Sequence, residues 1–205
     1  MEKLGLFGGT FAPFHNGHAN ALRALAKLGL DRIVLVPTYL PPHKAVRADD
    51  DPRIRLSMLR GLCRTKEFAP MHLGVSDFEI RQGGMSYSYH TLRHFTKKGR
   101  KLYFLVGTDM FLTLENWYRG SELFSLAEMV CVLRGEEEDE KARVRKKAEE
   151  YRLKYGASCT FCEAEPLPLS STGIREAVAA GERISELVPA YIEERIRKEG
   201  LYLET

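Results

Sequence analysis

The 205-residue sequence has four cysteines, one tryptophan and no long apolar run. Cys63, Cys131, Cys159 and Cys162 are too sparse for a disulfide framework in a chain this large. Cys159-Thr-Phe-Cys162 is a CxxC, but it stands alone in a strand-like run. Residues i and i+3 of a strand face opposite ways, so buried thiols are the expectation rather than zinc or redox chemistry. No apolar run approaches transmembrane length. The first residues, MEKLGLFGG, lack the apolar core of a signal peptide. A cytoplasmic protein without membrane partners is therefore expected. Formal net charge is only +3, which provides no global field for nucleic acid or lipid. The basic runs Lys97-Lys98 with Arg100-Lys101, and Arg143–Lys147, lie beside acidic ones and read as solvated surface. Nucleic acid is not an expected partner. A homo-oligomer is compatible with the sequence, which carries nothing that decides it.

What is present is an alternation of strand and helix patterns. Strands are expected at Lys3–Phe7, Arg32–Pro37, Met71–Val75, Lys101–Val106, Met129–Leu133 and Ser158–Cys162. Helical spacing marks Asn16–Lys27, Pro52–Cys63 and Tyr89–Thr96, and two helices close the chain near Thr172–Ala180 and Pro189–Lys198. The charged stretch Glu136–Tyr155 keeps an apolar stripe of Val144, Ala148, Tyr151 and Tyr155, which predicts a surface helix. Thr38–Asp51 is Pro-containing and charged and reads as a mobile loop. With no internal repeat and no linker, residues 1–205 read as one α/β domain. The pattern predicts a Rossmann-like open parallel sheet with flanking helices. Ligands of such sheets bind outside the carboxyl ends of the strands. Gly8-Gly9 and Gly107-Thr108-Asp109 should therefore face one crevice.

The most informative stretch is GGTFAPFHNGHA, from Gly8 to Ala19. His15 and His18 sit three apart as a helix begins, so they share its first turn. That turn also offers backbone N–H groups and the positive end of the helix dipole. Two glycines before it let backbone approach a ligand. Together these parts suit a phosphate. Metal ligation fits less well, because a third ligand and the i,i+4 spacing of HExxH are both missing. A structural use, with His15 capping a turn and His18 on the surface, is the remaining alternative.

These residues resemble the nucleotidyltransferase superfamily with the (H/T)xGH signature. PPHK at Pro41–Lys44, SYSYHTL at Ser86–Leu92, GTDMFLTLENW at Gly107–Trp117, SSTGIR at Ser170–Arg175 and the closing LVPAYIEERIRKEGLY narrow the resemblance. In order along the chain, they look like the bacterial nicotinate-nucleotide adenylyltransferase family. Ala12 departs from the acidic residue usual in that family, His90 stands where Asp is common, and Ser88 replaces Thr with the hydroxyl kept.

The resemblance implies adenylyl transfer from ATP to nicotinate mononucleotide, giving nicotinate adenine dinucleotide and pyrophosphate in NAD biosynthesis. A phosphate oxygen is the nucleophile, so no general base is required. Alignment and charge stabilisation carry the catalysis. On this reading His15, His18 and Arg175 act on the phosphates, with the helices from about residue 172 completing the ATP site. ATP would further touch Gly8, Gly9, Thr10, Phe11, Gly107, Asp109, Ser171 and Thr172. Ser171 is the expected N-cap of the late helix. Asp109 could hold a ribose hydroxyl or cap a helix over Met110–Leu114. Lys44 is either a mononucleotide or triphosphate contact or a solvated loop lysine. Trp117 either stacks on the pyridine ring or fills core. Ser88 and the backbone N–H near Tyr118 are candidate donors to the nicotinate carboxylate. Mg²⁺ would be held by ATP phosphates and water rather than by a protein cage. The rival functions are a related adenylyltransferase acting on nicotinamide mononucleotide or another phosphorylated acceptor, and a non-catalytic nucleotide-binding protein.

Overall fold

The protein is seen in a computed structural model that describes residues 1–42, 50–133, 138–165 and 167–203. Its apolar runs pair as six parallel strands. They are β1 (Glu2–Gly9), β2 (Arg32–Pro37), β3 (Leu73–Val75), β4 (Arg100–Gly107), β5 (Glu128–Leu133) and β6 (Cys159–Glu163). The order across the sheet is β3-β2-β1-β4-β5-β6. The chain builds outward from β1 to β3, then returns to lay β4 against the other side of β1. That reversal opens a crevice at the carboxyl ends of β1 and β4, where an open α/β sheet binds ligands. The expected sheet is thus observed, with β1 and β4 extending into their terminal glycines.

The inner strands β2, β1, β4 and β5 are apolar on both faces because both are covered. On one face Phe7, Ile33, Leu35, Leu105, Val130 and Val132 pack with α1 (Asn16–Ala26), α2 (Pro52–Leu62), α8 (Ser171–Ala179) and α9 (Ala190–Glu199). On the other, Leu6, Val34, Phe104, Val106, Met129 and Cys131 meet α4 (Ser88–Phe95), α6 (Gly120–Leu126) and α7 (Glu138–Tyr155). The alternation along RIVLVP is therefore a strand period of two, shared between two cores. Helix α7 lies where the charged stretch predicts it, with Val144, Ala148 and Tyr151 buried and the rest largely facing solvent.

Two short helices are not expected from the sequence, α3 (Phe78–Gln82) and α6, and α5 (Thr108–Phe111) starts two residues before the helix offered over Met110–Leu114. Each is too brief to establish a 3.6-residue apolar period. All four cysteines are free thiols. Burial pushes the Cys63, Cys159 and Cys162 thiols up to about 11, which suits the expected inert role of the CxxC.

The C-terminal helix closes against α2 at Gly61. A Cβ there would sit 1.8 Å from the Tyr191 hydroxyl and 2.3 Å from its Cζ. Tyr191 is held in turn, since its Oη accepts from Arg195 Nη1 at 3.0 Å. Gly61→Ala should therefore cost about 1–3 kcal/mol by overpacking. Urea unfolding should show a lowered midpoint with an unchanged slope. A midpoint equal to that of the wild type would mean that this contact is loose.

Candidate active site

The loop after β1 begins with two glycines that differ in role. A Cβ on Gly8 would have room, its nearest neighbour being Phe104 at 3.9 Å. On Gly9 it would press the Phe11 ring at 2.9 Å. Phe11 adopts a left-handed backbone, φ 53°, which for a non-glycine residue costs about 1–2 kcal/mol. Burial of its ring offsets this: it packs edge-on to Phe7 at 5.3 Å and to His18 at 5.1 Å.

His15 and His18 cap their helix for each other. His15 is the N-cap and its Nδ1 accepts from the His18 amide at 3.3 Å. His18 Nδ1 accepts from the His15 amide at 3.2 Å. The rings stack with centroids 3.7 Å apart. This is the reciprocal logic of a capping box, with imidazole nitrogens in place of oxygens. Because each Nδ1 accepts, the geometry assigns the ring proton to Nε2, which makes each Nε2–H a donor. Gly17 makes the stack feasible, since a Cβ there would lie 3.1 Å from His15 Nδ1 and Cε1. The structural use expected for His15 is thus observed, while His18 is half-buried rather than on the surface.

One expectation is corrected. The first turn of α1 does not present a row of unpaired amides. Asn16 N donates to Leu187 O at 2.9 Å, His18 N is capped, and Ala19 N donates to His15 O at 3.1 Å. Three of the amides at this helix end are thus already engaged.

Far along the chain, α8 docks on the same loop. Ser171 Oγ donates to Pro13 O at 3.1 Å and Arg175 Nη1 donates to Ala12 O at 2.7 Å. The N-cap is Ser170, whose Oγ accepts from Gly173 N at 3.0 Å, and not Ser171 as expected. Ser171 instead spends its hydroxyl on the junction. Arg175 Nη2 donates to Thr172 Oγ1 at 3.1 Å. Ser171 lines the crevice; Thr172 and Arg175 stand beside it rather than among its lining residues.

The crevice encloses about 510 Å³. Gly8, Gly9, Thr10, Phe11, His15 and His18 line one side, and Gly107, Thr108, Asp109, Ser88, Trp117 and Tyr118 another. Asp109 does not cap a helix: α5 starts at Thr108 with Gly107 as its N-cap, which leaves Asp109 exposed in the first turn. Trp117 is half-buried, edge-on to Phe104 at 6.5 Å, with Nε1 donating to Thr113 Oγ1 at 3.4 Å. Tyr118 stacks on Tyr87 with centroids 4.5 Å apart. Lys44 and His43 lie outside the described residues.

Two buried charged residues are absent from the sequence-based candidates, Arg55 behind this lining and Glu79 within it. Arg55, only 1% exposed, donates from Nη1 to the carbonyls of both Thr10 and Thr38 at 2.8 Å and from Nε to Asp50 at 2.7 Å. It pins the loops after β1 and β2 together. Its sequence signal is a charge on an apolar helix stripe, with Leu59 and Leu62 at i+4 and i+7. Glu79 of α3 has no such signal, since its helix is too short to define a face.

The Trp117 loop is fastened from α7. Glu115 accepts from Lys147, from Lys154 Nζ at 3.1 Å and from Tyr155 Oη at 3.0 Å. Gly120 lets the loop close, for a Cβ there would meet Leu114 O at 2.4 Å. The Lys147 ammonium, followed by Lys154 and Tyr155, holds the Glu115 carboxyl down at about 2, against an ordinary 4.5. A depressed carboxylate stabilises the fold above its unfolded value and loses that contribution as pH falls through the folded one. The stability difference between wild type and Glu115→Gln should therefore be full above pH 4.5 and vanish towards about pH 2. Urea titrations across that window check it, and a difference independent of pH would show that the ion pairs contribute nothing.

Comparison with known proteins bears on this site. The cytidylyltransferase-like family model matches residues 6–177. The chain is 36% identical over 205 residues to the probable nicotinate-nucleotide adenylyltransferase of Clostridium novyi, covering 98% of this chain and 100% of that one. It is 35% identical over 206 residues to the corresponding protein of Clostridium tetani, with the same coverage. Among solved structures, the nicotinic acid mononucleotide adenylyltransferase of Plasmodium falciparum complexed with NaAD superposes with a TM-score of 0.80 at 17% identity. That match covers 100% of this chain and 99% of the other. A likeness at that identity speaks to the fold.

Proposed function

Because the chain belongs to the cytidylyltransferase-like family and, within it, to the nicotinate-nucleotide adenylyltransferases, we propose that the crevice between Gly8-Gly9 and Gly107 is where ATP and nicotinate mononucleotide meet. The enzyme transfers the adenylyl group of ATP to nicotinate mononucleotide, giving nicotinate adenine dinucleotide and pyrophosphate in NAD biosynthesis. The observation that carries the site assignment is the docking of Ser171 and Arg175 on the carbonyls of Pro13 and Ala12, beside the stacked histidines. Two distant segments thereby frame one edge of the strand-end crevice.

In this reading a phosphate oxygen of the mononucleotide attacks the α-phosphorus of ATP. A new P–O bond forms, the bond from that phosphorus to the bridging oxygen breaks, and pyrophosphate leaves with the electron pair. The protein aligns the two phosphates and neutralises the charge that builds on the leaving oxygens. His15 and His18 donate from Nε2 to the triphosphate, with His18 serving the leaving group. Arg175 adds positive charge from the late helix. Gly9, Thr10 and Phe11 bring the β1 loop against ATP, and Asp109 meets a ribose hydroxyl. Trp117 stacks on the pyridine ring, while the Ser88 hydroxyl and the Tyr118 amide serve its carboxylate. Lys44 is assigned to the mononucleotide on resemblance alone. Among the described residues no three His, Cys, Asp or Glu side chains converge as a metal site. Mg²⁺, when bound, would be held by ATP phosphates and water and would neutralise phosphate charge. We place the enzyme in the cytoplasm; among the described residues no helix is long and apolar enough to cross a membrane.

A coupled pyrophosphate assay with ATP and each acceptor tests the assignment. The nicotinate mononucleotide should win by a wide margin; a reversed preference would overturn the acceptor. ATP binding without pyrophosphate release would leave only a nucleotide-binding protein. His18→Ala should lower turnover about 100- to 1,000-fold through loss of a preorganised donor, and near-normal turnover in the folded variant would refute that role. Trp117→Ala should raise the KM for mononucleotide more than that for ATP, whereas equal rises would make the tryptophan structural.

A further inference from the structure

Two asparagines of α1 are left unused by the proposed chemistry. Asn16 opens the helix between the two histidines, and Asn20 follows one turn later on the same face. Asparagine is a weak helix former, because its side chain competes for nearby backbone groups. Here both side-chain amides reach across to the late part of the chain instead. Asn16 Nδ2 donates to Glu186 O at 2.9 Å, and the Asn16 backbone N–H donates to the next carbonyl, Leu187 O, at 2.9 Å. Asn20 Nδ2 donates to Glu165 O at 3.2 Å. Glu165 precedes α8 and Glu186 follows it. Helix α1 therefore holds the segment that carries Ser171 and Arg175 at both of its flanks. Between those points Ile174, Ile184 and Val188 share a core with Leu22 and Leu25 of α1. Apolar packing is non-directional, so it holds the two helices together without setting their offset; hydrogen bonds are directional and do set it.

Resting on the reading in which His15, His18 and Arg175 serve one triphosphate, we propose that Asn16 and Asn20 are positioning residues, a two-point clasp that fixes α8 against α1 and so sets the Arg175 guanidinium relative to the imidazoles. Neither asparagine touches substrate in this scheme. Donors carried by two helices stabilise one developing charge only when their spacing is preset, and a displacement of about 1 Å can cost about 100-fold in rate. One bond leaves α8 free to pivot; two, on either side of it, do not. The mononucleotide side lies outside the clasp, since Ser88, Trp117 and Tyr118 come from α4 and the loop before α6. The clasp should thus govern the chemical step and leave acceptor binding alone.

The test combines hydrogen exchange with a mutant cycle on Asn16→Ala, Asn20→Ala and the double variant. In the double variant the amides of α8 should exchange faster while those of β5 keep their wild-type rates. Each single variant should lower kcat about 3- to 10-fold, with the KM for nicotinate mononucleotide unchanged. In an Arg175→Ala background the same substitutions should lower kcat no further, because the group they position is gone. A merely structural role would give the same fractional loss on either background. Unchanged exchange in α8, a raised KM for the mononucleotide, or an equal loss on both backgrounds would each overturn the clasp while the reading of the site stands. Normal turnover in Arg175→Ala alone would instead remove that reading, and the clasp's catalytic role with it.

Discussion

The site depends on one long-range junction, the grip of α8 on the loop after β1. Arg175 and Ala12 are 163 residues apart, yet a 2.7 Å hydrogen bond joins them. Ser171 adds a second bond to the adjacent carbonyl of Pro13. Both acceptors are backbone carbonyls, so the junction fixes loop geometry whatever side chain stands at position 12. The absence of an acidic residue there leaves this grip intact. Without it, one edge of the crevice would lose its support.

A second constraint acts from beneath. Arg55 ties the carbonyls of Thr10 and Thr38 to one guanidinium nitrogen and is neutralised by Asp50. Removing one partner of such a buried pair strands a charge, at a cost of about 3–5 kcal/mol. The arrangement is therefore stiff by necessity. Opposite, the Tyr87–Tyr118 stack and the Trp117 ring form an aromatic wall, fastened from behind by Glu115. One wall is set by backbone carbonyls held on cations, the other by rings held through an ion-pair cluster.

Much of this is legible in the sequence, for identifiable reasons. Continuous apolar runs such as RIVLVP and KLYFLV announce buried parallel strands, and glycines at their ends mark the crevice. The HNGH stretch announces a helix start. Local competition hides the rest. Ser170 and Ser171 are both able caps, and only the position of Pro13 decides which one is spent on docking. Asp109 has the chemistry of an N-cap, but the helix begins one residue earlier. The amides of α1 look available until Leu187, from the far end of the chain, takes one of them. Glu79 lies in a five-residue helix, where no periodicity can set a buried carboxylate apart from a surface one.

The mutual capping of His15 and His18 also accounts for what the superfamily signature permits at its first position. That place must hold an atom that accepts from the amide three residues on. A threonine hydroxyl does this as readily as an imidazole nitrogen, and the signature allows only these two. The second histidine returns the cap, its Nδ1 accepting from the His15 amide at 3.2 Å. The two caps are then two faces of a single folding requirement, met before any substrate arrives.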